Sequence, residues 1–332
     1  MLNKEKIFKR LKQEGPQAWY HNFEIIKGSG IFCDPGKPPV INNSKATFEK
    51  CGIKEDFWKG LRVLDIGSYT GARSFYLEDC GAKVTALDIQ PPELNGFKLI
   101  HEIRQSKVEF IFSSVYDLSP AKFGRFDVVL FFAVFYHLKH PLLALERINS
   151  ICKTDGFLLG GGTTSDRWFH DDNLSCEKGV DFERITKNMI NDNRIMAVDN
   201  LNKLSLCGFA GSHYYRDKTN WFIPNTECLK EWLRVSGFDF ERVNYAVSEI
   251  QRDWNKSRTL KSSIIFKAKR ISDPIPEYKQ NAYQSYSRAD QELYLKKYRI
   301  PTEHEVESII EENKKLKDEI KRLRTCLKSQ CA

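Results

Sequence analysis

The sequence holds no apolar run near the roughly 18 residues that a membrane-spanning helix needs. Its basic start, MLNKEKIFKRLKQEG, carries no apolar stretch of the kind found in a secretory leader. Neither a spanning nor an exported chain is expected. Nine cysteines are present, yet no two stand as C-x-x-C. That spacing supports neither a zinc framework nor a disulfide scaffold, no metal site is expected, and a reduced, cytoplasmic protein is the simpler expectation. No stripe of lysines interleaved with aromatics marks a nucleic-acid face, and the net charge of +8 favours an anionic partner only in a general way. The G-x-G-x-x-G run of dinucleotide sites is missing too, which disfavours a dehydrogenase. The 332 residues suffice for one large core plus accessory elements.

The stretch Leu61 to Asp88, LRVLDIGSYTGARSFYLEDCGAKVTALD, organises the rest. Leu61, Val63, Leu64 and Ile66 form an apolar run of buried-strand length. The turn Gly67-Ser68-Tyr69-Thr70-Gly71 follows, then a helical segment stopped by Gly81, then a second strand, Val84 to Leu87, ending in Asp88. A strand, turn, helix, strand unit makes the two strands parallel and puts the turn at a carboxyl end, where open α/β sheets bind ligands. Gly67 and Gly71 allow close backbone approach, and Asp88 at a strand tip is placed to accept two ribose hydroxyls. Asp65 would repel a pyrophosphate but suits a ligand bearing an ammonium group.

This D-I-G-S-Y-T-G run resembles motif I of the class I S-adenosyl-L-methionine (SAM)-dependent methyltransferases, roughly D-x-G-x-G-x-G, with Tyr69 at the middle glycine. The resemblance implies SAM as cofactor. It places Asp65, Gly67, Ser68, Gly71, Asp88 and Ile89 around it, and Ser114 and Val115, after the third strand Val108 to Phe112, at the adenine. The fourth strand, FDVVLFF, runs into AVFYHLKHPLLALERI. The segment Phe126 to Ile148 closely resembles the subgroup related to the bacterial tRNA wobble-uridine carboxymethyltransferase, in which a tyrosine at the place of Tyr136 helps hold a carboxylated SAM. WFIPN at Trp221 and the helix after it resemble the same subgroup, so the likeness covers roughly residues 56 to 270. The fold it implies is α/β, a Rossmann-like seven-stranded methyltransferase sheet with helices on both faces.

Around this core the expected plan is an N-terminal helical cap over residues 1–55, the methyltransferase domain over 56–270 with a lid insertion at 163–221, a linker at 271–302 and a coiled coil at 303–329. Residues 45 to 58 read as one helix, Thr226 as the cap of the helix holding Leu229, Trp232 and Leu233, and the aromatic run Trp19, Tyr20, His21 and Phe23 as either a cover for the cofactor or a satellite core. Methyl transfer is an in-line displacement whose main requirement is positioning, and a hydroxyl acceptor gains from a general base. His137, just past the fourth strand, is the first candidate, followed by His170 and Asp171 in the insertion. Family analogy favours O-methylation of a glycan or other small polar acceptor using plain SAM. A tRNA-modifying transferase and a SAM-binding scaffold acting through its coiled coil stay open as alternatives.

The C-terminal heptad places Val306, Asn313, Ile320 and Leu327 at a, and Ile309, Leu316 and Leu323 at d. Glu312 with Lys317, and Glu319 with Arg324, make g-to-e′ pairs across a parallel homodimer, and one asparagine at a fixes a two-stranded register. Light scattering should therefore find a dimer, and Asn313→Val should tighten the pair while blurring its stoichiometry. A monomeric wild-type chain would reject the pairing.

Overall fold

The computed structural model describes residues 4–34, 44–166, 204–211, 218–251 and 258–275. It divides into a unit over residues 1–274 and another over 275–332, and the described architecture belongs to the first. The expected coiled coil, most of the expected linker, the middle of the 163–221 insertion, and His170 and Asp171 with it, lie outside the described residues.

Five strands run parallel at the centre: β1 (Arg62–Ile66), β2 (Lys83–Asp88), β3 (Glu109–Phe112), β4 (Phe126–Phe132) and β5 (Cys152–Thr164). Two long strands, β8 (Phe238–Gln251) and β9 (Arg258–Arg270), complete a seven-stranded mixed sheet of order β3-β2-β1-β4-β5-β9-β8, with β9 antiparallel to both neighbours. A separate pair, β6 (Cys207–Phe209) and β7 (Phe222–Pro224), lies in and just after the expected insertion.

The apolar runs of β1, β2 and β4 are buried on both faces, as parallel strands beneath helices must be. Along β4 the side chains alternate between two cores. Val129 and Phe131 join Leu145 and Ile148 of α6 (Pro141–Ile151) and Leu229 and Leu233 of α7 (Thr226–Val235). Val128 and Leu130 join Leu11 of α1 (Lys4–Glu14), Phe48 of α2 (Ser44–Lys50), Phe75 of α3 (Ala72–Asp79) and Phe97 of α4 (Phe97–Arg104). The N-terminal residues thus supply part of one core.

Two local readings are corrected. Residues 45 to 58 do not form one helix: α2 stops at Lys50, Gly52 takes φ +71°, and a 3-10 turn at Glu55–Trp58 follows, because a left-handed residue ends the hydrogen-bond ladder. The cap of α7 is Asn225, whose side chain accepts from the Cys228 N–H at 2.8 Å. Thr226 is instead the first helical residue, and its hydroxyl donates to Asp166 at 2.9 Å.

The glycine run at 160–162 has a packing reason. A Cβ on Gly162 would come within 2.8 Å of the Tyr136 ring and 2.9 Å of Phe135, and one on Gly160 would enter the fully buried ring of Phe266. Gly160→Val is expected to cost about 1–3 kcal/mol through overpacking. It should appear as a lower urea midpoint with an unchanged m-value.

Candidate functional site

The chain leaves β1 for one face of the sheet and β4 for the other, so the carboxyl ends of these neighbours open a crevice. The turn of residues 67–71 lies along it. Gly67 and Ser68 donate their N–H groups to the Leu87 carbonyl at 2.8 and 3.3 Å, and Gly71 donates to Ser68 at 2.8 Å, which ties the turn to the end of β2. Gly67 has φ +70°, and a Cβ there would stand 2.6 Å from Val134 of the β4 exit. This position therefore requires glycine on both counts.

Asp88 is buried, and each of its oxygens takes one main-chain N–H: Tyr69 at 2.8 Å and Gln90 at 2.9 Å. A carboxylate has about four acceptor sites, so lone pairs remain for two hydroxyls. Asp65 is buried at the tip of β1 and accepts from the Ser74 hydroxyl at 2.6 Å. Burial pushes its carboxyl up to about 6, against the Ser74 hydrogen bond and the nearby Arg73 cation, which pull it down. The Ser68 hydroxyl is buried with no hydrogen-bond partner among the described residues, and a buried orphan of this kind calls for an external partner. The closed approach at Gly67, the spare lone pairs of Asp88 and the orphan Ser68 hydroxyl all fit a nucleoside cofactor bearing a ribose and an amino-acid tail.

Ile89 follows Asp88 and is exposed, as is Phe112, its neighbour across β2 and β3 through Asp88. Ser114 caps a short turn at Val115–Asp117: its oxygen accepts from the Tyr116 N–H at 3.3 Å, so its hydroxyl proton can still be donated. Val115 buries its side chain in the core, which leaves its main chain as what it can offer a ligand.

Past β4, Ala133 takes φ +59° and donates to the Gly161 carbonyl at 2.7 Å, turning the chain into a 3-10 turn, Phe135–His137. The rings of Tyr136 and His137 lie 4.4 Å apart. The Tyr136 carbonyl accepts from the Trp221 N–H at 2.8 Å, and His137 Nδ1 stands 2.9 Å from the Thr219 hydroxyl. The described C-terminal end of the insertion is thereby fastened to this turn.

Several residues at the site carry no motif signal. Arg73 lies over the Phe132 ring at 4.4 Å, in electrostatic reach of the Asp65 carboxyl and near Tyr136 and Tyr20, and burial lowers its pKa. A sequence clue existed, because a cation in the first turn of a helix opposes the macrodipole. Tyr20 and His21 meet the turn directly. The Tyr20 ring lies 5.5 Å from Tyr69, and His21 Nδ1 lies 2.7 Å from the Thr70 hydroxyl. The N-terminal aromatic run is accordingly split between its two expected places, with Tyr20 and His21 on the turn and Phe23 stacked 6.4 Å from Phe75 in the core.

A family described as "Methyltransferase domain" matches residues 64–160. The ubiquinone biosynthesis O-methyltransferase of Xanthomonas campestris pv. campestris is 35% identical over 195 residues, which are 58% of this chain and 69% of that protein. The tRNA U34 carboxymethyltransferase of Alteromonas mediterranea is 24% identical over 217 residues, 61% of this chain and 54% of that protein. Among solved structures, the N-terminal domain of EvdMO1 with SAH bound superposes with a TM-score of 0.51 at 18% identity, covering 81% of this chain and 98% of that domain, a likeness of fold. Among the described residues no helix is long and apolar enough to cross a membrane. The glycine turn between two buried strand-end carboxylates, the sheet order and a 35% identical relative matched over 69% of its length lead to one conclusion: the chain belongs to the class I SAM-dependent methyltransferases.

Proposed function

We propose that this methyltransferase moves the SAM methyl group onto an oxygen of a sugar or other small polar acceptor, with His137 as the general base. The observation that carries the proposal is His137 itself. It is a titratable ring at the mouth of the crevice, held through Nδ1 by Thr219 and tilted against the Tyr136 ring 4.4 Å away. A base oriented by a second group is the arrangement that hydroxyl activation needs. The relative at 35% identity, named for O-methylation, supports an oxygen acceptor. Hydroxyls of Tyr20, Tyr136 and Thr219 around Arg73 and His137 suit a polar molecule. In this reading Asp88 binds the ribose, Asp65 the ammonium group, Ser68 a polar atom of the cofactor's tail, and Ile89, Ser114 and the Val115 main chain the adenine. The bound cofactor supplies the activated methyl group. His137 takes the acceptor proton, and the crevice walls hold the two reactants in line. The heptad at 303–329 is read as joining two copies.

The tRNA reading is second. It rests on the Alteromonas relative and on Arg73 beside Tyr136, a cation placed for a ligand carrying an added carboxylate.

Asp88→Ala removes the ribose acceptor. Calorimetry should show SAM affinity falling by about tenfold or more, the worth of one or two hydrogen bonds to a charged group, and unchanged binding would reject the site assignment. The raised pKa of Asp65 gives a pH test. In the free protein the proton is held more tightly than in the unfolded chain, so the stability due to this group is full below about 4 and lost as pH rises through about 6. A ligand ammonium needs the anion, so the sign for binding is opposite. SAM affinity should weaken as pH falls through about 6, with proton release on binding near that pH, and Asp65→Asn should flatten the profile. A flat wild-type profile would remove Asp65 from the ammonium.

A further inference from the structure

The residue standing at the middle position of the glycine turn is Tyr69, and it keeps the left-handed backbone, φ +48°. A side chain there costs about 1–2 kcal/mol relative to ordinary conformations. The strain has a use, because this backbone aims the Tyr69 N–H at Asp88 Oδ2, 2.8 Å away. Something must hold the turn in place, and the contacts come from about fifty residues earlier. The Tyr20 and His21 rings meet Tyr69 edge to face, at 5.5 and 6.0 Å with interplanar angles of 69° and 90°. His21 Nδ1 shares a hydrogen bond of 2.7 Å with the hydroxyl of Thr70, a fully buried residue.

The segment that carries these rings is itself anchored. Phe23 stacks on Phe75, Ile25 is fully buried, and Arg104 donates to the Ile25 carbonyl. Burial, with Arg73 nearby, holds the imidazole pKa down to about 4, so His21 is neutral at working pH and one ring nitrogen is always available as an acceptor.

We propose that His21 is a positioning residue for the cofactor: by fixing Thr70 it holds Tyr69 in the left-handed conformation that orients the Asp88 carboxylate. This rests on the reading of Asp88 as the ribose acceptor. His21 touches the turn and acts through it.

The test is SAM binding by calorimetry to the full chain carrying His21→Phe, His21→Asn or Thr70→Val, each made in the wild-type and the Asp88→Ala backgrounds. Phe keeps a ring without the nitrogen. Asn places a polar atom where Nδ1 stands, and Val removes only the Thr70 hydroxyl. His21→Phe and Thr70→Val should each weaken SAM about tenfold, the size of one hydrogen bond. His21→Asn should recover to within about threefold of wild type. In the Asp88→Ala background the same changes should add almost nothing, because a residue acting through Asp88 has no further effect once Asp88 is gone. Wild-type affinity in both His21→Phe and Thr70→Val overturns the proposal. So does an equal loss in His21→Asn and His21→Phe, or a loss that persists in the Asp88→Ala background. If Asp88→Ala alone binds SAM normally, the ribose reading fails and the positioning role with it. If Asp88→Ala binds weakly while His21→Phe binds normally, only the positioning role fails.

Discussion

The crevice between β1 and β4 exists because the chain leaves these two parallel neighbours toward opposite faces of the sheet. With both faces of the strands buried, polar groups can appear only at the strand ends. Two carboxylates, Asp65 and Asp88, take that place within one short turn of each other, both buried. Burying a charge is costly unless donors are built in. Here the donors come from the turn, the helix it starts and the exit of β2: Ser74 for Asp65, and Tyr69 N–H with Gln90 N–H for Asp88. The turn therefore satisfies the carboxylates that the sheet exposes to it, and the rest of the site is arranged around that exchange.

The two acids are held by different donors. Asp88 has a main-chain N–H on each oxygen. Asp65 accepts from Ser74, and burial outweighs that hydrogen bond, so its carboxyl rises to about 6. Arg73 stands against the α3 dipole in the first helical turn, a placement that Asp65 and the Phe132 face offset. This cluster of unfavourable local choices is what distinguishes a binding site from a merely stable βαβ unit.

Much of the fold was legible because the central strands are continuous apolar runs and the turn between them carries glycine where no other residue fits, as Val134 shows at Gly67. Legibility ended where tertiary contact decides. The outer strands β8 and β9 run far past the short apolar stretch SSIIFKA, since their ends pair with each other more than with the core. Thr226 and Asn225 are both good caps by chemistry, and the choice between them was made by Asp166, sixty residues away, which holds Thr226 in the helix. His21 offered no motif at all; only the folded chain brings it to Thr70.

The departure at Tyr69 shows how a motif can change without losing its geometry. A glycine at this position would reach the left-handed conformation without strain but would give the unfolded chain more freedom to lose. Tyrosine carries strain instead, and its ring gives other elements something to grip. The grip comes from Tyr20 and His21, so the conformation of the turn becomes conditional on the docking of the N-terminal segment. That segment also shares a core with α3 and α4 through Phe23 and Ile25. The N-terminal segment therefore touches both the core and the turn of residues 67–71. In this chain the motif has to be read as a set of contacts, with the middle position of the turn and residues 20–21 as one unit.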